Sequence, residues 1–456
     1  MRAAARHITG THVYSHVSCP RAVVLDLHGD PARRRAPSEA EAFQLARGRE
    51  HEARITAELG WPAPEYPRGE FAAGAAATAA LLAAGVPGVL QGVLQVGSWL
   101  GIPDLLRRVP GASALGGFHY VVGDVKSSAR PRADQVLQVA FYSALLTRVQ
   151  DRAPDHAFLV LKDGHEERID VAEIEPVLDD VLEQVTGQLD PKVAAAERPF
   201  LSRACAGCRW SSLCLPELEV ADDLSLVAGM TRGLRQTLER AGVATAARLA
   251  EAAVEPLARR THLEPALLRR LRRAAEARRQ GGPVAEATPR RGALASGAIV
   301  HLLTDPFAER VLWMGVLHPA AEGGVVRDAL PRAREHELAR FGELVAGLPA
   351  GIPLLHHGGV VPHWYVEATR ARHASRELEN RFVDLAARLR GAVTLPGPAF
   401  GLDDWVRLAL GRDPHRAGEA AAAAKWLAEG KEARLRAKGA ADLGDLAALR
   451  ERWLTE

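Results

Sequence analysis

Cysteine is scarce in this chain, with four copies in 456 residues. That is too few for a disulfide-stapled secreted scaffold and directs attention to metal or redox use. Lysine is nearly as rare, with six copies, while arginine is abundant from end to end, so arginine content alone says little about partners. Long apolar runs are missing. None approaches the ~20 residues of a membrane-spanning helix. The opening MRAAARHITG has no apolar stretch after its arginines, so no secretory signal is expected and the expected location is the cytoplasm. An excess of one charge is missing too: the formal net charge is +2, which gives no global field to attract nucleic acid. What remains is an ordinary globular composition, 47% hydrophobic and 25% charged, in a chain long enough for two or three domains.

Three segments can be read. Residues 1–218 alternate helical and strand-like text. Helices are expected at Glu39–Leu59, Arg132–Val149 and Val171–Gln188. Strands are expected at Gly88–Val96, Leu105–Val109, Gly117–Lys126 and His156–Leu161, a mixture that favours an α/β fold. Residues 219–282 are helical with short turns at Gly229 and Gly242. Between Met230 and Arg291 there are fourteen arginines against six glutamates, with no aspartate or lysine, so this segment concentrates the positive charge that the whole chain lacks. The linker GGPVAEATPRRGALASG leads to residues 298–456, which open strand-like, offer a further strand at Gly351–His357 and become mostly helical.

Phosphodiester hydrolysis asks for a hard divalent cation on one or two carboxylates, with a cation such as lysine nearby to stabilise developing charge. The first segment supplies those residue types. In YVVGDVKSS, strand alternation puts Asp124 and Lys126 on one face. Asp104, after the turn Gly-Ile-Pro, stands before the apolar pair Leu105-Leu106 at the expected start of a neighbouring strand. Upstream lies Gly48-Arg49-Glu50-His51. Downstream, Gln138 and Tyr142 share a helix face at i and i+4.

This ordered set resembles the RecB-like branch of the PD-(D/E)xK nuclease superfamily. Asp104 matches its first acid, Asp124 and Lys126 its D-x-K, His51 its G-x-x-H, and Gln138 to Tyr142 its Q-x-x-x-Y. The resemblance implies a restriction-endonuclease-like α/β domain that binds Mg or Mn through His51, Asp104, Asp124 and the carbonyl of Val125. It further implies Lys126 in catalysis, and Gln138 with Tyr142 positioning a DNA strand.

The cysteines sit as one early residue, Cys19, and a tight trio, Cys205, Cys208 and Cys214. Zinc sites usually bring two close pairs, so the one-plus-three split suits them poorly. It is similar to the pattern of iron–sulfur RecB-like exonucleases, which implies a [4Fe–4S] cluster tying the two ends of the nuclease segment together. A zinc site and inert buried thiols stand as the alternatives.

The middle segment resembles a helix–hairpin–helix module, whose turn amides and nearby Arg259, Arg260, Arg269, Arg270, Arg272, Arg273, Arg278 and Arg279 would contact phosphates. A solvated arginine-rich helix face is the other reading. The third segment resembles an RNase H-like domain. Its opening strand carries Leu302-Leu303-Thr304 where the family has acids, and only Asp305 remains nearby, so it is expected to be non-catalytic. His356, His357, His363 and His373 read as surface histidines. Taken together, these features lead to the expectation of an Mg/Mn-dependent deoxyribonuclease with no membrane attachment; the resemblance alone implies single-stranded DNA ends as substrate, in repair, recombination or defence, with a helicase or repair protein as a possible partner. The rival expectation is a catalytically silent DNA-binding accessory subunit of a helicase or recombination complex.

Overall fold

The computed structural model describes residues 7–286, 294, 296–305, 307–318, 326–372, 377–415 and 419–454. The chain is mixed α/β and forms two compact units, Met1–Cys214 and Leu215–Glu456. Most of the linker between Glu286 and Gly297 lies outside the described residues.

The first unit contains β1 (Ile8–Thr9), α1 (Gly10–Ser18), α2 (Pro20–His28), α3 (Glu39–Ala57) and α4 (Phe71–Ala83). These are followed by β2 (Gly88–Leu90), β3 (Leu94–Val96), β4 (Trp99–Gly101), β5 (Leu105–Ser113), β6 (Gly116–Val125) and α5 (Ala133–Gln150). β7 (Ala157–Val160), β8 (Glu166–Ile169), α6 (Val171–Gly187), α7 (Pro191–Ala196) and α8 (Ser211–Val220) complete the elements that begin in this unit.

The main sheet has the order β2-β5-β6-β7-β8, antiparallel except for the parallel pair β6–β7. The crossover between those two parallel strands is α5. The last seven residues of β6 are buried, as expected of a central strand covered on both faces. One face carries the larger core, where Val13 of α1, Phe141 and Leu145 of α5 and Leu182 of α6 pack against Val122 and Leu159. The other face carries Leu105, Val121, Phe158 and Val160 beneath Ile55 of α3. α3 starts at a capping box: Ser38 Oγ accepts from the Glu41 N–H at 3.2 Å, and Glu41 accepts from the Ser38 N–H at 2.7 Å. A short sheet, β1-β4-β3, lies beside the main one in sequence order.

The expected single strand Gly88–Val96 is instead two strands in different sheets, β2 and β3. The break falls at Gln91, whose φ of 50° takes the backbone out of the β region. α4 was not foreseeable from periodicity, because the run FAAGAAATAALLA has no polar face to mark it.

In the second unit, helices Arg232–Arg240, Ala246–Glu251, Val254–Thr261 and Pro265–Gln280 share one core built on Leu238, Leu249, Leu257, Leu268 and Leu271. Gly229 and Gly242 both take left-handed φ, 86° and 81°, in the turns around the first of these helices. Further along, five strands, Val326–Ala329, Arg310–Leu317, Ala298–Asp305, Leu354–His356 and Phe382–Asp384, pair in that spatial order. The first two pairings are antiparallel and the last two parallel.

The histidine expectation needs correction. His356 is buried, with Nδ1 2.6 Å from the Gly358 carbonyl. Burial pushes the neighbouring His357 ring down to a pKa of about 4. His363 is exposed as expected, and His373 lies outside the described residues.

Candidate active site and cysteine cluster

The registry of β5 against β6 places Leu105 opposite Gly123, so Asp104 and Asp124 come together from residues 20 apart in sequence. The Asp104 N–H points to Asp124 Oδ1 at 3.4 Å, and Asp104 Oδ2 accepts from the Val125 N–H at 2.8 Å. A larger residue at Gly123 would displace the Phe158 ring, because an added Cβ would lie 2.2 Å from it. That ring is itself covered by the Arg107 guanidinium, 4.0 Å above its centroid. Asp124 is 3% exposed, and a carboxylate so buried must be paired. Its partner is the Lys126 ammonium.

Lys126 stands one residue past β6, where its N–H donates to the Val160 carbonyl at 2.8 Å. Its Nζ also donates to Gln138 Oε1 at 2.8 Å, and Gln138 Nε2 donates to the Tyr142 hydroxyl at 2.9 Å. The i, i+4 pair on α5 therefore runs continuously to the lysine. Tyr142 is buried with its hydroxyl turned to Gln138, and burial, followed by the nearby Asp124 charge, raises its pKa.

His51 reaches the same place from α3. Its ring lies near the Lys126 main chain, and Nδ1 lies 3.2 Å from the Arg54 guanidinium. Burial, then Arg54, lowers its pKa, which favours the neutral ring that can ligate a metal. Val125 is buried at the strand end. All seven sequence-derived positions, His51, Asp104, Asp124, Val125, Lys126, Gln138 and Tyr142, are thus brought into one neighbourhood.

Two residues join them that no motif names. Glu52, next to His51, has its carboxyl pKa raised by burial and by Asp124, and it shares the Gln91 amide with Asp104. Gln91 donates from Nε2 to Glu52 Oε1 at 2.6 Å and to Asp104 Oδ1 at 2.9 Å. Burial, followed by Asp124 and Glu52, holds the Asp104 carboxyl well above the usual carboxylate range. Three carboxylates that repel one another in a buried setting are an arrangement that a divalent cation would relieve. Among the described residues no three His, Cys, Asp or Glu side chains form a preformed single-ion site. At this site, the Lys126 ammonium and the Val125 N–H already occupy oxygens of Asp124 and Asp104.

The four cysteines come together as well. Cys19, between α1 and α2, and Cys205, Cys208 and Cys214 all line one cavity of about 350 Å³ that Phe200 and Trp210 also wall. Burial raises the Cys208 thiol pKa, and Cys19 and Cys205 add to the rise. Metal ligation would release such protons.

Protein contacts also hold the cysteine loop. Trp210 Nε1 donates to Asp26 Oδ1 at 2.9 Å, and the Arg34 guanidinium lies 5.0 Å over its ring. The Arg35 N–H donates to the Arg209 carbonyl at 2.8 Å, while Arg209 Nε returns a bond to the Arg35 carbonyl at 3.0 Å.

The sequence matches no protein-family model and no curated protein.

In the second unit, Asp305 is buried and accepts from the Phe307 N–H at 3.0 Å, the bonding of a turn residue. His301, on the same strand, meets Asp442 at 3.1 Å, and Asp442 also accepts from buried Lys438 at 2.7 Å. Several module arginines are already engaged: Arg269, Arg272, Arg273, Arg278 and Arg279 pair with Glu255, Glu276, Glu286, Glu219 and Glu251. A cleft of this unit, about 550 Å³, is lined by Arg310, Arg332, Arg340 and Arg436 among acids that include Asp328 and Glu343. No helix among the described residues is long and apolar enough to cross a membrane.

Proposed function

We propose that this chain is a metal-dependent deoxyribonuclease of the RecB-like PD-(D/E)xK type, with a [4Fe–4S] cluster on Cys19, Cys205, Cys208 and Cys214. The observation that carries the reading is the convergence of Asp104, Asp124 and Lys126 at the paired ends of β5 and β6, with Gln138 on the lysine. His51, Asp104, Asp124 and the Val125 carbonyl would hold Mg or Mn, which when bound supplies a polarised phosphoryl oxygen and an acidified water. The chain's own residues do the rest. The Val125 N–H fixes one Asp104 oxygen, so the carboxylate presents a set direction. Asp124 and Gln138 share the Lys126 ammonium, which keeps it beside the acids, where it stabilises negative charge developing on phosphate. The neutral His51 ring adds a ligand without adding charge.

Single-stranded ends are the proposed substrate and come from the family resemblance. The left-handed glycine turns and Arg259, Arg260 and Arg270, which make no ion pair with the described residues, support a helix–hairpin–helix module that grips phosphates. The strand order of the last sheet, a three-strand meander followed by two parallel strands, supports an RNase H-like domain. Its central strand has Leu302 and Leu303 where acids would stand, and its Asp305 is committed to a turn, so we read that domain as non-catalytic. A helicase or a repair or defence protein is the kind of partner that would feed strands to such an enzyme.

The test is digestion of end-labelled single- and double-stranded DNA with Mn²⁺. Wild type should cleave. Asp124→Ala and Lys126→Ala should lose cleavage by at least about 10²-fold while still retaining DNA in a gel shift. If both variants behave as wild type in every assay, the chain is the silent accessory subunit instead.

A further inference from the structure

Gln91 belongs to no recognisable motif, yet its backbone is held at φ 50°, a left-handed conformation that a residue with a β-carbon rarely adopts. The geometry it gains is specific. Its N–H donates to the Asp104 carbonyl at 3.0 Å. Its Nε2 donates to Asp104 Oδ1 at 2.9 Å and to Glu52 Oε1 at 2.6 Å. Both acceptors are carboxylate oxygens, so both amide hydrogens are used and the amide cannot turn over without losing them. With Oδ2 on the Val125 N–H, Asp104 is held at its main chain and at both carboxylate oxygens. Glu52 projects from α3 one residue after His51, and without an amide between them it and Asp104 would face each other as like charges.

We propose that Glu52 is a third carboxylate of the cation site and that Gln91 is the positioning residue that joins it to Asp104. Resting on the active-site reading above, the inference adds a ligand group and its support. When ionised, Glu52, Asp104 and Asp124 carry three negative charges. Lys126 offsets one, and one divalent cation matches the other two. The left-handed turn at Gln91 ends β2 and swings the amide over the site, which explains why the strand stops there.

Mn²⁺ binding to the full chain, measured by calorimetry without DNA, tests the proposal. Gln91→Gly accepts the left-handed backbone without strain and should melt within a few degrees of wild type. Gln91→Asn, also tolerant of that conformation but one methylene too short to span both acids, provides a second variant. Each of these, and Glu52→Gln, should weaken Mn²⁺ about ten-fold or more, as loss of outer support does at metal sites. Because Gln91 and Glu52 act as a unit, Gln91→Gly combined with Glu52→Gln should bind no more weakly than the weaker single variant. Wild-type affinity in the single variants, or losses that multiply in the double variant, would overturn the proposal. The nuclease reading fails separately: a wild type that binds Mn²⁺ through this clamp yet cuts no DNA keeps the clamp and sinks the enzyme. Cleavage abolished by Asp124→Ala with normal Mn²⁺ binding in the Gln91 variants does the reverse.

Discussion

At the scale of single residues, Tyr142 separates two roles that the sequence alone could not. A phenol that is 6% exposed must satisfy its hydroxyl inside the protein, and Gln138 Nε2 does so. The Gln138 oxygen then faces the Lys126 ammonium, so the tyrosine sets the amide and the amide sets the cation. Tyr142→Phe removes one hydrogen bond, worth about 1 kcal/mol, and leaves the ring in place. Cleavage under single-turnover conditions should slow several-fold while DNA affinity stays unchanged. A tyrosine that held the DNA strand directly would give the opposite split, and comparing the dissociation constant with the turnover rate distinguishes them. The acids and the lysine were legible because a polar residue inside a buried strand, as in YVVGDVK, contradicts its surroundings unless it has work to do. Glu52 was legible only in part: it abuts the G-x-x-H histidine, but a glutamate on a helix is the commonest of surface residues. Gln91 left no trace, since nothing in its neighbours' identities announces a left-handed φ.

At the scale of elements, most expected helices and strands survived, and the run at 88–96 did not. β6, α5 and α6 lie within a residue or two of their expected bounds because each carries a sustained period or a marked end, such as the Asp170 side chain that accepts from the Ala172 N–H at 3.0 Å. The run at 88–96 reads as one strand because apolar residues continue through it, while the turn at Gln91 is enforced by long-range bonds to Asp104 and Glu52. A different long-range tie holds the start of α3. Arg35 forks onto Glu41 at 2.8 Å through both of its terminal nitrogens, and the same arginine's backbone is bonded to Arg209 in the cysteine loop. That hydrogen bond to Arg35, with the Ser38 N–H assisting, pulls the Glu41 carboxyl from an ordinary pKa of 4.5 down to about 2. A depressed acid contributes its stability above the unfolded value and loses it as pH falls through the folded one. The window is therefore roughly pH 4.5 to 2. The pair is partly exposed, so its worth is under about 1 kcal/mol. Glu41→Gln should lower the melting temperature slightly at pH 7 and not at all near pH 2, and melting curves across that range check it. In the wild type, the loop around Arg209 should become more sensitive to pepsin at the acid end.

At the scale of the whole molecule, the chain forms two compact units with separate hydrophobic cores. Every proposed metal ligand and all four cysteines belong to the first, and the arginine-rich helices and the five-strand sheet, whose central strand carries Leu302 and Leu303, belong to the second. A core of its own is what a chain segment needs to fold alone. The sequence marked the composition change near residue 218 but could not place the junction, because the helix Ser211–Val220 runs through it and carries Cys214 as its last tie to the cysteine cavity. Residues 215–456 expressed separately should therefore fold, with a cooperative melt and native far-ultraviolet circular dichroism. This fragment should bind single-stranded DNA with an affinity that falls steeply with salt, about 0.7 decades per decade for each phosphate neutralised, and it should cleave nothing. Residues 1–214 should carry all the iron when purified anaerobically, and Cys208→Ser in that fragment should lose the cluster's visible absorbance. The contacts from Trp210 to Asp26 and from Arg35 to Arg209 do not involve Cys208, so the variant should loosen around residues 203–214 before it unfolds. Limited trypsin digestion, which can enter at Arg203 and Arg209, would show cleavage there first. DNA retention confined to residues 1–214 would reverse the division of labour and leave the arginines of the second unit as solvated surface.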